Sequence, residues 1–309
     1  MKEATPFLSI VSPVYKAEKI IPLLIQRVEN SVSKITTNFE ILLVEDGGPD
    51  NSWGVIEAIA KTNPKIKGIK LSRNFGQHPA IMAGLSQAKG EWIVVMDCDL
   101  QDQPEEIEKL YAKALEGFDV VFAKRNNRQD GFFKKIFSKL FSIIFNYLAE
   151  TKFDNEIANF GIYNRKVIKS VLSIGDYIKS FPLFVYFTGF KSTSIFVEHA
   201  SRESGTTSYT FSKLMSLAFN TIVSYSNKPL KIFVKFGMLI SLLSIIGGII
   251  NLILYFDGKI KVSGYSSIIV SIWFLSGIII TVIGVVGIYV GKVFEQTKDR
   301  PPFIIDKII

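Results

Sequence analysis

Residues 94–106 read VVMDCDLQDQPEE. An apolar, β-branched run stops at Asp97, a short polar stretch follows, and Pro104 opens an acidic, helix-prone segment. That order is strand, turn, helix, with the proline suited to a first helical turn. Ligands of open α/β sheets bind beyond the carboxyl ends of the strands, so the residues just after this run are the ones to inspect. In an extended chain Asp97, Asp99 and Gln101 would share one face. Two carboxylates and an amide oxygen form an all-oxygen donor set, which suits Mg²⁺ or Mn²⁺ rather than zinc. Such a cation would bridge a diphosphate and neutralise the charge of a departing nucleotide. Paired loop aspartates are also common as plain turn or cap residues, so the motif needs support from elsewhere.

Working outward, the same strand–helix alternation recurs. Strands are expected at 8–11, 40–44, 66–71, 92–96 and 119–123, with helices at 18–34, 52–61, 77–88 and 104–116. This is an α/β pattern with a Rossmann-like, mostly parallel sheet. Neither a Gly-rich dinucleotide fingerprint nor a phosphate-loop lysine motif follows the first strand, which argues against a dehydrogenase or an ATPase. The other expected strand ends carry polar groups too. SPVYKAEKII follows the first, VEDGGPDNSW the second with Glu45 and Asp46, and LSRNFGQ the third with Arg73. A carboxylate at such an edge can accept a hydrogen bond from a base imide or a ribose hydroxyl.

The last third is of another kind. Residues 236–256 and 265–290 carry no charge, and each run is long enough to cross a bilayer as a helix, with 257–264 as the hairpin between them. Lys228, Lys231 and Lys235 precede the first run, and Lys292, Lys298 and Arg300 follow the second. That distribution predicts a multi-pass protein of the cytoplasmic membrane with both termini cytoplasmic. The first residues have no long apolar core or small-residue cleavage site and read as an entering strand. Segments 131–150 and 211–225 interleave aromatic and aliphatic residues with lysines, the pattern of interfacial amphipathic helices or of core helices with outward lysines. The net charge of +8 gathers near these apolar segments and in 124–139, which favours anionic lipid over nucleic acid as partner. A single cysteine excludes an internal disulfide, and two isolated histidines give no metal cluster.

These motifs together resemble a family 2 glycosyltransferase of GT-A type. The branch is that of the polyprenyl-phosphate glycosyltransferases, which includes dolichol-phosphate mannose synthases and bactoprenol glucosyltransferases. The resemblance rests on VSPVY, VEDGGPDNS, LSRNFGQHPAIMAGL, DCDLQD, the basic stretch after the fifth strand, RESGTTSY, the paired apolar runs and KDRPPF. It implies that Pro13, Tyr15, Glu18 and Asp46 line a nucleoside pocket, with Arg73 near the same edge. It also implies that Asp97, Asp99 and Gln101 hold the metal and that Arg125, Lys134, Ser138 and Arg202 engage phosphates. Where the family often has Gly-Asp-Phe-Arg, this chain has Ala158-Asn159-Phe160-Gly161, and an amide is no general base. Asp154 or Glu156 could substitute. Equally, a phosphate monoester with a second pKa of about 6 is largely dianionic at neutral pH and needs no base.

The expected organisation is a cytoplasmic catalytic domain over 1–210, with the interfacial helix inside it, and a juxtamembrane helix over 211–231. A membrane hairpin over 232–290 and a tail over 291–309 complete the chain. The expected activity is inverting transfer of one sugar from a nucleotide-sugar, a UDP-hexose, to polyprenyl (undecaprenyl) phosphate. A homo-oligomer is expected by resemblance. A processive polysaccharide synthase or a catalytically silent scaffold of the same fold are the alternatives.

Overall fold

Two strands carry apolar residues on both faces and are buried along their whole length: Leu8–Val14 (β1) and Phe39–Glu45 (β2). Burial on both faces is the signature of the centre of a parallel sheet covered by helices. The computed structural model describes residues 6–125, 147–148, 157–176, 180–198, 222, 226–257 and 264–309. Within it β1 pairs in parallel with β2 and with Trp92–Val95 (β4), and β2 pairs in parallel with Ile66–Leu71 (β3). The helices Ile21–Val32 (α1), Ser52–Thr62 (α2) and Gln77–Gln87 (α3) connect these strands. Gly84 lets α3 lie close on the sheet, because a Cβ there would run into Val11 and Val44.

Beyond β4 a 3₁₀ turn, Pro104–Glu106, leads into Ile107–Ala114 (α4) and Val120–Arg125 (β5). Three further strands change the sheet from mostly parallel to mixed. Ile157–Asn164 (β6) inserts antiparallel between β4 and β5, and Ser192–Val197 (β7) runs parallel to β5 at one edge. Ile305–Ile308 (β8) lies antiparallel to β3 at the other edge, giving the order β7-β5-β6-β4-β1-β2-β3-β8. Lys307 Nζ bonds Glu57 Oε1 on α2 at 2.7 Å and fastens β8. The short helices Arg165–Leu172 (α5) and Phe181–Phe187 (α6) pack on this half. Arg165 clasps the Gly90 and Ala88 carbonyls at 2.7 and 2.8 Å, joining the β6–α5 junction to the turn before β4.

The chain divides into two compact units, Met1–Gly131, Phe153–Thr207 and Arg300–Ile309 in one, Phe132–Lys152 and Ser208–Asp299 in the other. In the second, Lys228–Phe256 (α7) and Tyr265–Thr297 (α8) pack against each other. Both present large apolar side chains outward, such as Met238, Leu243, Trp273 and Ile280. A helix that is greasy all round belongs in a core or in lipid. Among the described residues one segment, Ser271–Thr297, is long and apolar enough to cross a membrane, where the sequence led us to expect two. Lysines 228, 231 and 235 fall inside α7 itself, and several of its side chains lie outside the described residues. The α8 helix also extends to Thr297 rather than ending at 290, so the 291–309 tail is partly helix and partly sheet strand.

Candidate active site

The carboxyl ends of β1, β2 and β4 open on one cleft of about 360 Å³, within the range of small-ligand pockets. Pro13, Val14 and Tyr15 supply one wall, Asp97, Cys98 and Asp99 another, and Asp46, Asn74, Gly76 and Gln77 the rest.

Asp46 follows β2 and is 3% exposed. Its two oxygens accept from the backbone N–H groups of Phe75 (2.7 Å) and Gly76 (2.9 Å), so it staples the loop that opens α3. Burial raises its pKa, and those two hydrogen bonds oppose the rise. Glu45 beside it is also raised by burial, opposed mainly by the N–H of Gly48, which donates to its Oε1. Gly47 has φ +61°, and a Cβ there would run into the backbone of Arg73 and Asn74. The two loops can close on each other only with glycine at this position.

The acidic stretch after β4 is not extended. The strand ends at Val95 and the chain turns through 98–101, with Leu100 at φ +57°. A bulky residue in the left-handed region needs compensation, and here Leu100 is buried in the core. Asp97 and Asp99 both line the cleft on either side of Cys98, by a different route from simple alternation. Gln101 does not line the cleft; its backbone N–H donates to Asp99 Oδ1 at 3.1 Å. Gln77 Nε2 donates to Asp97 Oδ1 at 2.6 Å. Desolvation pushes the Cys98 thiol up to about 12, which favours its neutral form at pH 7.

Among the described residues no three His, Cys, Asp or Glu side chains gather as a ligand set. Two carboxylates facing an open cleft nevertheless fit the way Mg²⁺ and its relatives are held, by one or two protein carboxylates plus substrate phosphates.

The other expected residues divide between the cleft and its surroundings. Tyr15 is exposed at the rim, with Lys16 Nζ 5.4 Å from its ring centroid. Glu18 does not line the cleft; its Oε2 accepts from Asn51 N at 3.3 Å while its own N–H donates to Asp50 at 3.1 Å, tying two loops together. Arg73 is exposed and stacks on Phe75, 4.5 Å from the ring centroid, instead of lining the cleft. Asn159 lies two residues before Gly161, the partner of Val95, and so shares the sheet edge with Asp97. Lys134, Ser138, Asp154, Glu156 and Arg202 lie outside the described residues, as do the two amphipathic segments apart from isolated positions. Of Arg125 only the backbone, at the end of β5, is described. Asn74 and Gln77 were not singled out by sequence, although they stand in the quoted LSRNFGQ segment; the bond from Gln77 to Asp97 joins positions twenty residues apart and leaves no local signal.

Residues 9–172 match the description Glycosyl transferase family 2. The chain belongs to glycosyltransferase family 2. It is 34% identical over 300 residues to the "Uncharacterized glycosyltransferase YkcC" of Bacillus subtilis (strain 168), covering 97% of this chain and 93% of that one. It is 31% identical over 304 residues to the undecaprenyl-phosphate 4-deoxy-4-formamido-L-arabinose transferase of Proteus mirabilis (strain HI4320), with the same coverage. Among solved structures, mannosyl-3-phosphoglycerate synthase from Rubrobacter xylanophilus aligns with TM-score 0.51 and 14% identity over 84% of this family 2 chain and 78% of that one. That likeness concerns the fold alone, a GT-A-like α/β arrangement on a mixed sheet.

Proposed function

We propose that this family 2 chain transfers a single sugar from a nucleotide-sugar, a UDP-hexose, to undecaprenyl phosphate at the cytoplasmic face of the membrane, inverting the anomeric centre. The observation that carries the reading is the cleft in which Asp46 faces Asp97 and Asp99 beyond the sheet's carboxyl edge. It is supported by relatives that match nearly the whole chain, apolar helices included, and are named for transfer to undecaprenyl phosphate.

In this reading the nucleoside enters beside Pro13, Tyr15 and Asp46, and Asp97 and Asp99 hold Mg²⁺ or Mn²⁺ against the diphosphate, with Gln101 supporting the turn. The cation supplies charge neutralisation for the departing nucleotide. A phosphate oxygen of the lipid forms the new bond to the anomeric carbon while the bond to the β-phosphate oxygen of UDP breaks, and UDP leaves with that electron pair. The acceptor is already largely dianionic at neutral pH, so Asn159 need not take a proton. Asp154 remains the candidate should a base be required. Arg125, Lys134, Ser138 and Arg202 are assigned to the phosphates, and the lysines near the ends of the apolar stretches hold the catalytic unit on the cytoplasmic side, with the apolar part of α8 as membrane anchor. Catalysis then comes largely from orientation and electrostatics.

The test is incubation of purified full-length protein with undecaprenyl phosphate and a panel of UDP- and GDP-sugars, with products read by mass. One hexose per lipid from a UDP donor supports the proposal. A ladder of oligomers, or no lipid product from any donor, overturns it.

A further inference from the structure

Gln77 stands at the first turn of α3 and reaches across the cleft to Asp97, its Nε2 donating to Oδ1 at 2.6 Å. Its anchorage is specific. The two residues before it, Phe75 and Gly76, are the pair whose N–H groups are held by Asp46. Gly76 adopts φ +98°, a conformation that aims the following helix start and that side-chain-bearing residues rarely adopt. Asp46 at the end of β2 therefore holds the backbone of residues 75–76, and the next residue along that backbone, Gln77, holds Asp97 beyond β4. The two acidic groups of the cleft are coupled through Gln77 rather than set independently.

We infer that Gln77 is a positioning residue that fixes the Asp97 carboxylate in its cation-binding orientation. An amide donor suits this task. It takes up a single lone pair of Oδ1, and it adds no charge that would compete with the cation. A lysine in the same place would pair with Asp97 and weaken its hold on a cation. Carboxylate ligands are themselves oriented by hydrogen bonds, and loss of such a partner costs metal affinity by about tenfold or more. Because Gln77 is exposed, the low end of that range is expected.

The inference rests on the proposed cation role of Asp97, and the experiment separates the two. Mn²⁺ is titrated into the full-length protein without nucleotide and followed by the loss of the free-ion electron paramagnetic resonance signal. The wild type is compared with Gln77→Met, which keeps the side-chain length but removes the donor, and with Gln87→Met, the same change at the far end of α3. Gln77→Met is expected to weaken Mn²⁺ about tenfold with an unchanged melting curve, and Gln87→Met to leave the constant as it is. If the wild type binds Mn²⁺ and Gln77→Met binds it equally or more tightly, the positioning role is wrong while the cation site stands. Equal weakening by both variants also overturns it, as a general effect on α3. Failure of the wild type to bind Mn²⁺ removes the cation site and the inference together.

Discussion

The two ends of β2 bury carboxylates in opposite ways. At the amino end Glu40 is 3% exposed and fully engaged. Its Oε1 accepts from Ser9 Oγ at 2.6 Å and Lys89 N at 2.7 Å, and its Oε2 from Lys67 Nζ at 2.6 Å. Ser9 Oγ in turn accepts from Gly90 N at 2.7 Å, which closes the network. At the carboxyl end Asp46 is equally buried, yet it receives only two neutral backbone donors, and among the described residues no lysine or arginine pairs with it. The same strand thus neutralises its charge internally at one end and leaves it turned toward a cleft at the other. Burial raises the Asp46 pKa against those two hydrogen bonds, and a perturbed carboxylate lining a cleft is the kind of group that marks functional sites.

The contrast is tested hardest by exchanging the consequences of two acidic substitutions. Asp97→Ala should lower sugar transfer by roughly 10²–10³-fold with little change in melting temperature, since it removes a charge aimed at the reacting diphosphate. Glu40→Gln should do the reverse. It leaves Lys67 without its anion and should destabilise the fold by about 2 kcal/mol, less than a fully buried pair because Lys67 is partly exposed, while donor affinity is kept. If Glu40→Gln abolished donor binding in protein that remained folded, the division between a structural and a functional end would fail.

Asp46→Ala should sit between the two. Two backbone donors lose their acceptor, at about 1–3 kcal/mol for each group left buried and unsatisfied, and donor binding should weaken as the α3 entrance loosens. Isothermal titration with UDP, run beside a thermal melt, separates these effects.

The last expected effect is on pH response. Burial lowers the His78 imidazole from its usual 6.5 to about 4, and its Nδ1 has no hydrogen-bond partner among the described residues. The unfolded chain therefore binds the proton first. The stability linked to this neutral ring is complete above pH 6.5 and is lost as pH falls toward 4, a span worth at most about 3 kcal/mol and less where water reaches the ring. Melting curves from pH 7 to 4 should fall less steeply for His78→Gln than for the wild type.

The strands β1 to β5 were legible in the sequence because they are apolar runs separated by helical stretches, and β1, β2 and β3 pair in chain order. The β6, β7 and β8 strands were not. The β6 strand IANFGIYN had been read only as a departure from a motif, and its position between β4 and β5 depends on pairing with strands far back in the chain. The half-exposed β7 offers little apolar contrast, and β8 has four residues. In the site, the acidic pair was legible from its place after an apolar run. Its geometry was not, because the chain turns at 98–101 with Leu100 buried at φ +57° rather than running on extended. Glu18 was placed by resemblance and Arg73 by strand-end logic, and neither signal reaches what the structure shows of them, a loop-to-loop tie and ring stacking.

The pairing of β3 with β8 has a consequence for biosynthesis. The rim of β3 is complete by Leu71, but the strand that covers it begins at Ile305, after both long apolar helices. At roughly 5–20 residues per second of translation, the nascent sheet waits on the order of ten to fifty seconds with a row of amide and carbonyl groups bare. A chaperone, the ribosome surface or a neighbouring nascent chain has that interval in which to occupy the gap.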